Sequence, residues 1–159
     1  MNALSKAELR NLTFPDESLI VRAATLPWTP WAMPGTRFKL LYINRAIQLT
    51  VILLDVEPNT EASMHRHFGD AHAFILKGGF GYEHGTVYEG DYLVEAGGIT
   101  HTPNTGAEGV TMLGFMFGGL GGFTPDGQLA GVLDTDWHYQ TANANGAADH
   151  IAAPALAAA

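Results

Sequence analysis

The sequence predicts an all-β protein, an antiparallel sandwich or jelly-roll barrel, and three observations lead to this prediction. Between residues 36 and 118, at least six short runs rich in Val, Ile, Leu, Phe and Tyr alternate with turn residues, a pattern typical of closely spaced antiparallel strands. The 159 residues fit one domain, and 19 of them are glycine, which favours a turn-rich fold. Charged residues make up 15% of the chain and hydrophobic residues 47%, so disorder and a coiled coil are excluded.

Residues 1–35 are expected to form a short helix followed by an extended arm. Ser5-Lys6-Ala7-Glu8 has the pattern of a capping box, in which a serine and a glutamate three positions later satisfy the first amides of a helix. Four prolines between positions 15 and 34 favour extended backbone after it, because proline fixes φ and is excluded from central strands. Trp28 and Trp31 lie among these prolines, and we expect them to pack the arm onto the body.

Residues 36–140 are expected to form a single domain. Its strands are predicted at FKLLYI, IQLTVILLDV, HAFILKG, GTVY, DYLVE and VTMLGFMF. In the third run Lys77 should face water. Because side chains alternate along a strand, His72, Phe74 and Leu76 are then expected on the inner face.

The C-terminal part of the chain gives fewer signals. The glycine-rich segment 118–122 lacks the spacing of a dinucleotide-binding loop, so it is expected to be a flexible connection. Residues 141–159 are rich in alanine and are expected to form a tail. His138 and His150 are expected at the surface or in this tail.

The charge distribution argues against a nucleic-acid or membrane partner. The chain has 8 Lys and Arg against 16 Asp and Glu, a net charge of −8, and no Lys or Arg follows Lys77. Nucleic acids and anionic membranes are both bound through basic surfaces. The N-terminus lacks the pattern of a signal peptide, and no apolar run reaches the ~18 residues of a membrane span. We therefore expect a cytoplasmic protein.

Histidine is the residue type that points to chemistry. The chain has seven histidines and no cysteine, which excludes thiolate metal sites and cysteine nucleophiles. His65 and His67 are two positions apart in a β-rich segment, so their side chains must point the same way. A barrel can bring His101 beside them. Three imidazoles favour iron, zinc, nickel, cobalt or copper over magnesium or calcium.

The segment from residue 59 to residue 79 resembles the first signature motif of the cupin superfamily. That motif runs Gly, five residues, His-x-His, three or four residues, Glu, six residues, Gly. The chain has Asn59, then His65-Arg66-His67, then His72, then Gly79, all at matching spacing. Asn59 can adopt the positive φ that glycine supplies. His72 is the main departure, because it stands where the family has a glutamate that is often a fourth metal ligand.

The segment from residue 90 to residue 105 resembles the second cupin motif, which runs Gly, five residues, Pro-x-Gly, two residues, His, three residues, Asn. The chain has Gly90, then Ala96-Gly97-Gly98, then His101, then Thr105 at matching spacing. Ala96 and Thr105 replace the proline and the asparagine of the motif, and both are turn positions rather than ligands. The resemblance implies the cupin-type double-stranded β-helix, a jelly-roll barrel. It also implies a homodimer.

A narrower resemblance is to the 2,4′-dihydroxyacetophenone dioxygenase family, and more distantly to acetylacetone-cleaving dioxygenases. It is carried by HRHFGDAHAFILKG, Glu83-His84, Gly90-Asp91-Tyr92, Thr100-His101-Thr102 and Thr124-Pro125-Asp126-Gly127. In that family three histidines hold a non-haem Fe(II), which uses O2 to cleave a carbon–carbon bond next to a carbonyl. The resemblance implies a mononuclear Fe(II) dioxygenase acting on a small hydroxyketone or diketone. Its metal ligands would be His65, His67 and His101.

Glu83 and His72 are the candidates for acid–base catalysis. The resemblance places Glu83 at the site, as a fourth ligand or as an acid–base group. Either residue can accept a substrate proton if it lies within hydrogen-bond reach. A less specific interpretation stays open for both: His72 as a donor that orients a ligand or as a core histidine, and Glu83 as a solvated residue.

Two other functions stay open. A non-catalytic metal-binding or ligand-sensing cupin, related to the zinc-binding domains of anti-sigma factors, would keep the same histidines. A metal-dependent isomerase would act on a sugar or a keto acid. Zn, Ni, Co and Cu are the alternatives to Fe(II), because metal affinity follows availability as well as ligand type.

Overall fold

A computed structural model of the chain describes residues 10–154, which contain thirteen β-strands and one α-helix. The strands are β1 (Leu12–Thr13), β2 (Leu19–Ile20), β3 (Thr29–Pro30), β4 (Thr36–Asn44), β5 (Leu49–Val56), β6 (His65–His67), β7 (Ala71–Tyr82), β8 (Gly85–Tyr88), β9 (Tyr92–Glu95), β10 (Thr100–His101), β11 (Asn104–Phe117), β12 (Leu120–Phe123) and β13 (Leu129–Leu133). Helix α1 spans Thr135–Ala144. The predicted helix start at Ser5-Lys6-Ala7-Glu8 lies outside the described residues.

Two antiparallel sheets make up most of the domain. The larger sheet has seven strands in the order β3-β4-β5-β11-β7-β8, with β9 also paired to β7. The smaller sheet has the order β10-β6-β12-β13, and β1 and β2 form a separate pair. Strands distant in sequence are neighbours in both sheets, as a jelly roll requires. The all-β, jelly-roll prediction is confirmed.

The main core lies between the two sheets. Phe38, Leu40 and Ile52 of the larger sheet are almost fully buried, and they share one apolar cluster with Leu120 and Leu133 of the smaller sheet. Burial of a side chain of this size stabilises a fold by about 1.5–3 kcal/mol. This cluster therefore holds the sheets together and fixes which strand faces point inward.

The predicted inner face of β7 is wrong. Phe74 and Leu76 are 41% and 45% exposed, whereas Ala73 and Ile75 are buried. His72 therefore lies on the outer face of the sheet, with Phe74. The cause is a β-bulge: Ile75 and Lys77 pair with consecutive residues of β11, so Leu76 has no partner. A bulge interrupts the alternation of side chains, which lets Lys77 face water while Ile75 faces the core.

The prediction of a flexible glycine connection is also wrong. Leu120–Phe123 forms β12, which pairs with β6 on one side and β13 on the other. Gly119 precedes this strand with a φ of +75°, and a Cβ there would lie 2.4 Å from the carbonyl oxygen of Leu133. Glycine at position 119 therefore allows a turn and a close approach of two backbones, and it does not make the segment flexible.

Helix α1 follows β13 and runs past position 141, where the tail was predicted to begin. Asp134 caps the helix, since its side chain accepts a hydrogen bond of 2.8 Å from the backbone amide of Trp137. His138 is completely buried on this helix, so the prediction of a surface position is wrong. No helix among residues 10–154 is long and apolar enough to cross a membrane.

The proline-rich arm packs against the domain through its two tryptophans. The indole N–H of Trp31 donates a 3.0 Å hydrogen bond to Nε2 of His138. Trp28 lies under the cationic groups of Arg37 and Lys39, each 4.8 Å from its ring centroid. The arm therefore contacts α1 through Trp31 and the outer face of β4 through Trp28.

Candidate metal centre

Three buried imidazoles meet on the inner side of the smaller sheet. His65 and His67 are separated by exposed Arg66 on β6, so they point the same way, into the domain. His101 on β10 pairs directly with His65. Nε2 of His101 lies 3.0 Å from Nε2 of His67 and 2.9 Å from Nε2 of His65. All three side chains are nearly inaccessible to solvent.

The donor atoms of this triad fit a bound cation. Nδ1 of His65 donates to the carbonyl oxygen of Ser63 at 2.9 Å, which leaves a lone pair on its Nε2. Lone pairs this close repel one another unless a proton or a cation lies between them. Two nitrogens bound to one ion at about 2.1 Å lie no more than about 4.2 Å apart, and both measured separations satisfy this limit. The three histidines can therefore hold one divalent metal ion.

Burial keeps these imidazoles neutral. It lowers the pKa of His67 to about 3 and that of His101 to about 4, and the neighbouring imidazoles add to both shifts. Burial also lowers the pKa of His65. Neutral imidazole is the form that binds metal, so the triad is ready for a cation at neutral pH.

Glu95 is the site residue that the sequence analysis missed. It ends β9, where Leu93 and Glu95 point inward and Tyr92 and Val94 outward. Its side chain is 11% exposed. Oε2 lies 3.5 Å from Nε2 of His67, and Oε1 lies 3.4 Å from Nδ1 of His101. Burial raises the pKa of Glu95 to about 7. In the sequence, the alternation of Tyr92 and Val94 with Leu93 and Glu95 was the available signal. It shows that Leu93 and Glu95 share a face, but not that this face points inward.

Glu83 and His72 occupy different places from the triad. Glu83 is exposed in the β7–β8 turn, and its Oε1 accepts a 3.2 Å hydrogen bond from the amide of Thr102, next to His101. Its charge raises the pKa of His101, opposing the effect of burial. His72 lies on the outer face of β7, where Nδ1 is 2.5 Å from the hydroxyl oxygen of Tyr92. Neither residue is part of the group of His65, His67 and His101, whose ligand atoms lie within 4.8 Å of one another.

Asn59 adopts a φ of +53°, as predicted from its place in the first motif. His84 is exposed in the β7–β8 turn.

A cavity of about 100 Å³ opens beside the triad. Its polar lining includes the three imidazoles and Glu95. Its apolar walls are formed chiefly by Trp31, Ile52, Leu54, Met112, Met116 and Phe80. Among the described residues that line it, none is Lys or Arg, and Glu95 is the single acid. The cavity therefore suits a molecule whose body is uncharged and whose polar atoms reach the triad.

The jelly-roll fold and the buried histidine triad define a metal-binding protein of the cupin superfamily. Residues 16–118 match the family described as the ChrR cupin-like domain, and the chain belongs to that family. A search of curated proteins gives no match.

Solved structures support the same fold. An RmlC-like cupin protein from Ralstonia eutropha is 18% identical, with a TM-score of 0.72 over 85% of this chain and 90% of that one. An acetylacetone dioxygenase from Acinetobacter johnsonii is 18% identical, with a TM-score of 0.66 over 92% and 97%. The structure of Rhodobacter sphaeroides SigE in complex with the anti-sigma factor ChrR gives a match of 21% identity and a TM-score of 0.52, over 60% of this chain and 51% of that one. At these identities the likeness concerns the fold.

Proposed function

We propose that the protein is a mononuclear non-haem Fe(II) dioxygenase that cleaves a carbon–carbon bond next to a carbonyl in a small hydroxyketone or diketone. The observation that carries the proposal is the triad of neutral imidazoles opening onto a largely apolar cavity, whose lining between residues 10 and 154 has one carboxylate and no cationic side chain. The likeness in fold to an acetylacetone dioxygenase supports it.

The charge balance of the site favours this substrate class. Three neutral imidazoles leave the +2 charge of a bound ion uncompensated, so the site favours an anionic ligand with two oxygen donors. The enolate of a diketone, or a deprotonated hydroxyketone, has this character. Bound Fe(II) would supply electrons to O2 and positive charge to hold the enolate.

The residues of the chain have separate roles in this proposal. His65, His67 and His101 hold the ion, and the carbonyl of Ser63 fixes the tautomer of His65. Glu95 accepts the proton lost by the substrate, since it is the carboxylate that lines the cavity beside the triad. Glu83 is exposed and does not line the cavity. His72 touches the cavity from β7, but its Nδ1 faces the hydroxyl of Tyr92, so both residues are less well placed for that step.

Oxygen consumption tests the proposal directly. Purified protein would be stripped of metal, loaded with Fe(II) without oxygen, and then exposed to O2 with a panel of small diketones and hydroxyketones. We expect substrate-dependent oxygen uptake with cleavage products, and none from a His101→Ala variant that keeps the fold. Absence of uptake across the panel would overturn the proposal.

A non-catalytic metal-binding or sensing role is the second candidate. It is favoured by membership of the ChrR cupin-like domain family. It is also favoured by the position of Glu95, whose Oε2 lies 3.5 Å from Nε2 of His67, the nitrogen that would bind the metal. A shell of three histidines and one glutamate would leave zinc no open position. Zinc in protein purified without added metal, with no ligand exchange, would support this role. For the third candidate, a metal-dependent isomerase of a sugar or keto acid, a phosphorylated or multiply anionic substrate is disfavoured, because the described lining residues include no Lys or Arg.

We also propose that the protein is a homodimer that pairs through the outer face of the larger sheet. Two rows of cross-strand neighbours on this face are Val51-Phe115-His72-Val94 and Leu53-Leu113-Phe74-Tyr92. From β5 to β9 neither row contains an acid, a lysine or an arginine. On β4 the second row continues to Lys39, which is buried beside Trp28. The outer face of an antiparallel sheet is usually polar. Two copies with a net charge of −8 each can meet here without like charges in the contact.

A further inference from the structure

The cavity crosses the inner face of the larger sheet. Ile52, Gly114 and Ala73 are cross-strand neighbours on β5, β11 and β7, and all three line it. Glu95 lines it from β9, beyond β7. Trp31 lines it from the opposite edge, directly after β3. The strand order of the larger sheet therefore places Glu95 toward one end of the cavity and Trp31 toward the other. The triad lies at the Glu95 end, because Glu95 is 3.5 Å from His67 and 3.4 Å from His101.

Gly114 gives the cavity its depth at the middle of the sheet. A Cβ built on Gly114 would have Ile52 Cγ1 as its nearest neighbour, at 3.7 Å, which is ordinary van der Waals contact. The backbone of Gly114 has no positive φ, so no turn or close approach requires glycine here. Glycine weakens the interior of a strand. Its effect at this position is to leave open space above the sheet.

Trp31 forms a rigid wall at the far end. Its indole N–H donates to Nε2 of His138, and Nδ1 of His138 donates to the carbonyl oxygen of Asp134 at 2.6 Å. His138 is completely buried and packs edge-on against Phe38. Both ring nitrogens of His138 are thus engaged, which fixes its tautomer and the position of the indole.

We propose that Gly114 and Trp31 are the specificity-determining residues of the cavity: a ligand held at the triad extends an uncharged apolar arm over Gly114, and Trp31 limits the length of that arm. This inference rests on the proposed function for the presence of a metal-held ligand. A cavity of about 150 Å³ accommodates benzene, so about 100 Å³ admits an arm of only a few carbon atoms.

Binding of alkylated imidazoles to the cobalt-loaded protein tests the length limit without turnover. Co(II) would replace the native metal, and the visible absorption of cobalt would report binding of 1-methyl-, 1-propyl- and 1-hexylimidazole. In the wild type we expect affinity to fall about tenfold or more once the arm exceeds the limit, the scale on which a pocket rejects extra methylenes. Trp31→Ala should restore binding of the longest arm. Gly114→Val should reject the propyl arm and keep the methyl one.

Trp28→Ala is the matched control, because it removes the same bulk from the same arm but from the outer face of β4. It should leave the length profile of the wild type unchanged. Trp31→Leu replaces Trp31→Ala if the latter does not fold, since it keeps an apolar contact. The inference would be overturned if affinity depended on arm length in the same way in the wild type, the Trp31 variant and Gly114→Val. It would also be overturned if no alkylimidazole bound. Oxygen uptake with ketones tests the proposed function separately, so the two failures are distinguishable.

Discussion

Oε1 of Glu95 lies 3.4 Å from Nδ1 of His101, and neither atom has another hydrogen-bond partner among the described residues. A buried polar atom without a partner is costly, so each atom is the natural partner of the other. A carboxylate behind a ligand imidazole fixes the tautomer of the ring and makes it a stronger ligand. Glu95 is therefore coupled to metal affinity through His101, whichever metal is bound.

Replacement of Glu95 by glutamine should weaken metal binding. The amide keeps the shape of the side chain but loses the negative charge beside His101 and His67. Loss of such an outer carboxylate typically costs about 10–100-fold in metal affinity or activity, and we expect a loss on this scale. Competition against a chelator of known affinity, with Zn(II) or Co(II), measures it.

Glu83→Gln is the matched control for this prediction. Glu83 is exposed, and its contact is with the amide of Thr102 rather than with an imidazole. We expect a change in metal affinity of less than about threefold, the scale of a screened surface charge. An equal loss of metal affinity in Glu95→Gln and Glu83→Gln would contradict the specific role of Glu95 beside His101.

Protonation of His138 should lower stability in acid. Burial lowers the pKa of His138 to about 4 from an ordinary value near 6.5, so the unfolded chain binds this proton more readily than the folded one. Stability from this group is present above about pH 6.5 and is lost as the pH falls toward 4, by up to about 3 kcal/mol. Urea unfolding at pH 7.5 and at pH 5 measures the loss.

A His138→Phe variant isolates this group from the triad, whose lowered pKa values act in the same direction. The variant should be less stable at pH 7.5 by about 1–3 kcal/mol, because the indole N–H of Trp31 loses its acceptor. It should also lose less stability than the wild type between pH 7.5 and 5. An unchanged pH dependence would contradict the assignment.

Gly119→Ala should destabilise the smaller sheet. Its φ of +75° is unfavourable for alanine, and the new Cβ would lie 2.4 Å from the carbonyl oxygen of Leu133. Positive φ alone costs about 1–3 kcal/mol, and the backbone contact adds to it. Gly122→Ala is the control in β12, because a Cβ there has no atom within 4 Å and no positive φ. Thermal unfolding should show a lower Tm for Gly119→Ala only.

The triad was predictable because it follows from strand alternation and from motif spacing. His65 and His67 must share a face of any strand, and His101 stands at the family spacing. Glu95 was not predictable in the same way, since its direction depends on the strand register that pairs it with inward-facing Ala71. The inner face of β7 was predicted wrongly because the bulge at Leu76 leaves no mark in the sequence.

The C-terminal part of the fold was the least predictable. β12 consists of Leu-Gly-Gly-Phe, whose composition argues against a strand, and it exists because β6 and β13 supply hydrogen-bond partners on both sides. Helix α1 has polar residues mixed around its surface, so the burial of His138 follows from its contact with Trp31, which lies 107 positions earlier. Long-range contacts of this kind have no local signal.

The outer face of the larger sheet gives the final prediction, that Phe74→Glu converts the proposed dimer into a monomer. Phe74 is 41% exposed and pairs with Tyr92 at the centre of the apolar rows. A carboxylate there would be buried against its symmetry mate, and burial of an unpaired charge is strongly unfavourable. Leu129→Glu places the same charge on exposed β13 of the other sheet and should leave the dimer intact. Light scattering after size exclusion measures both masses; a wild-type monomer, or a Phe74→Glu dimer, would contradict this pairing face.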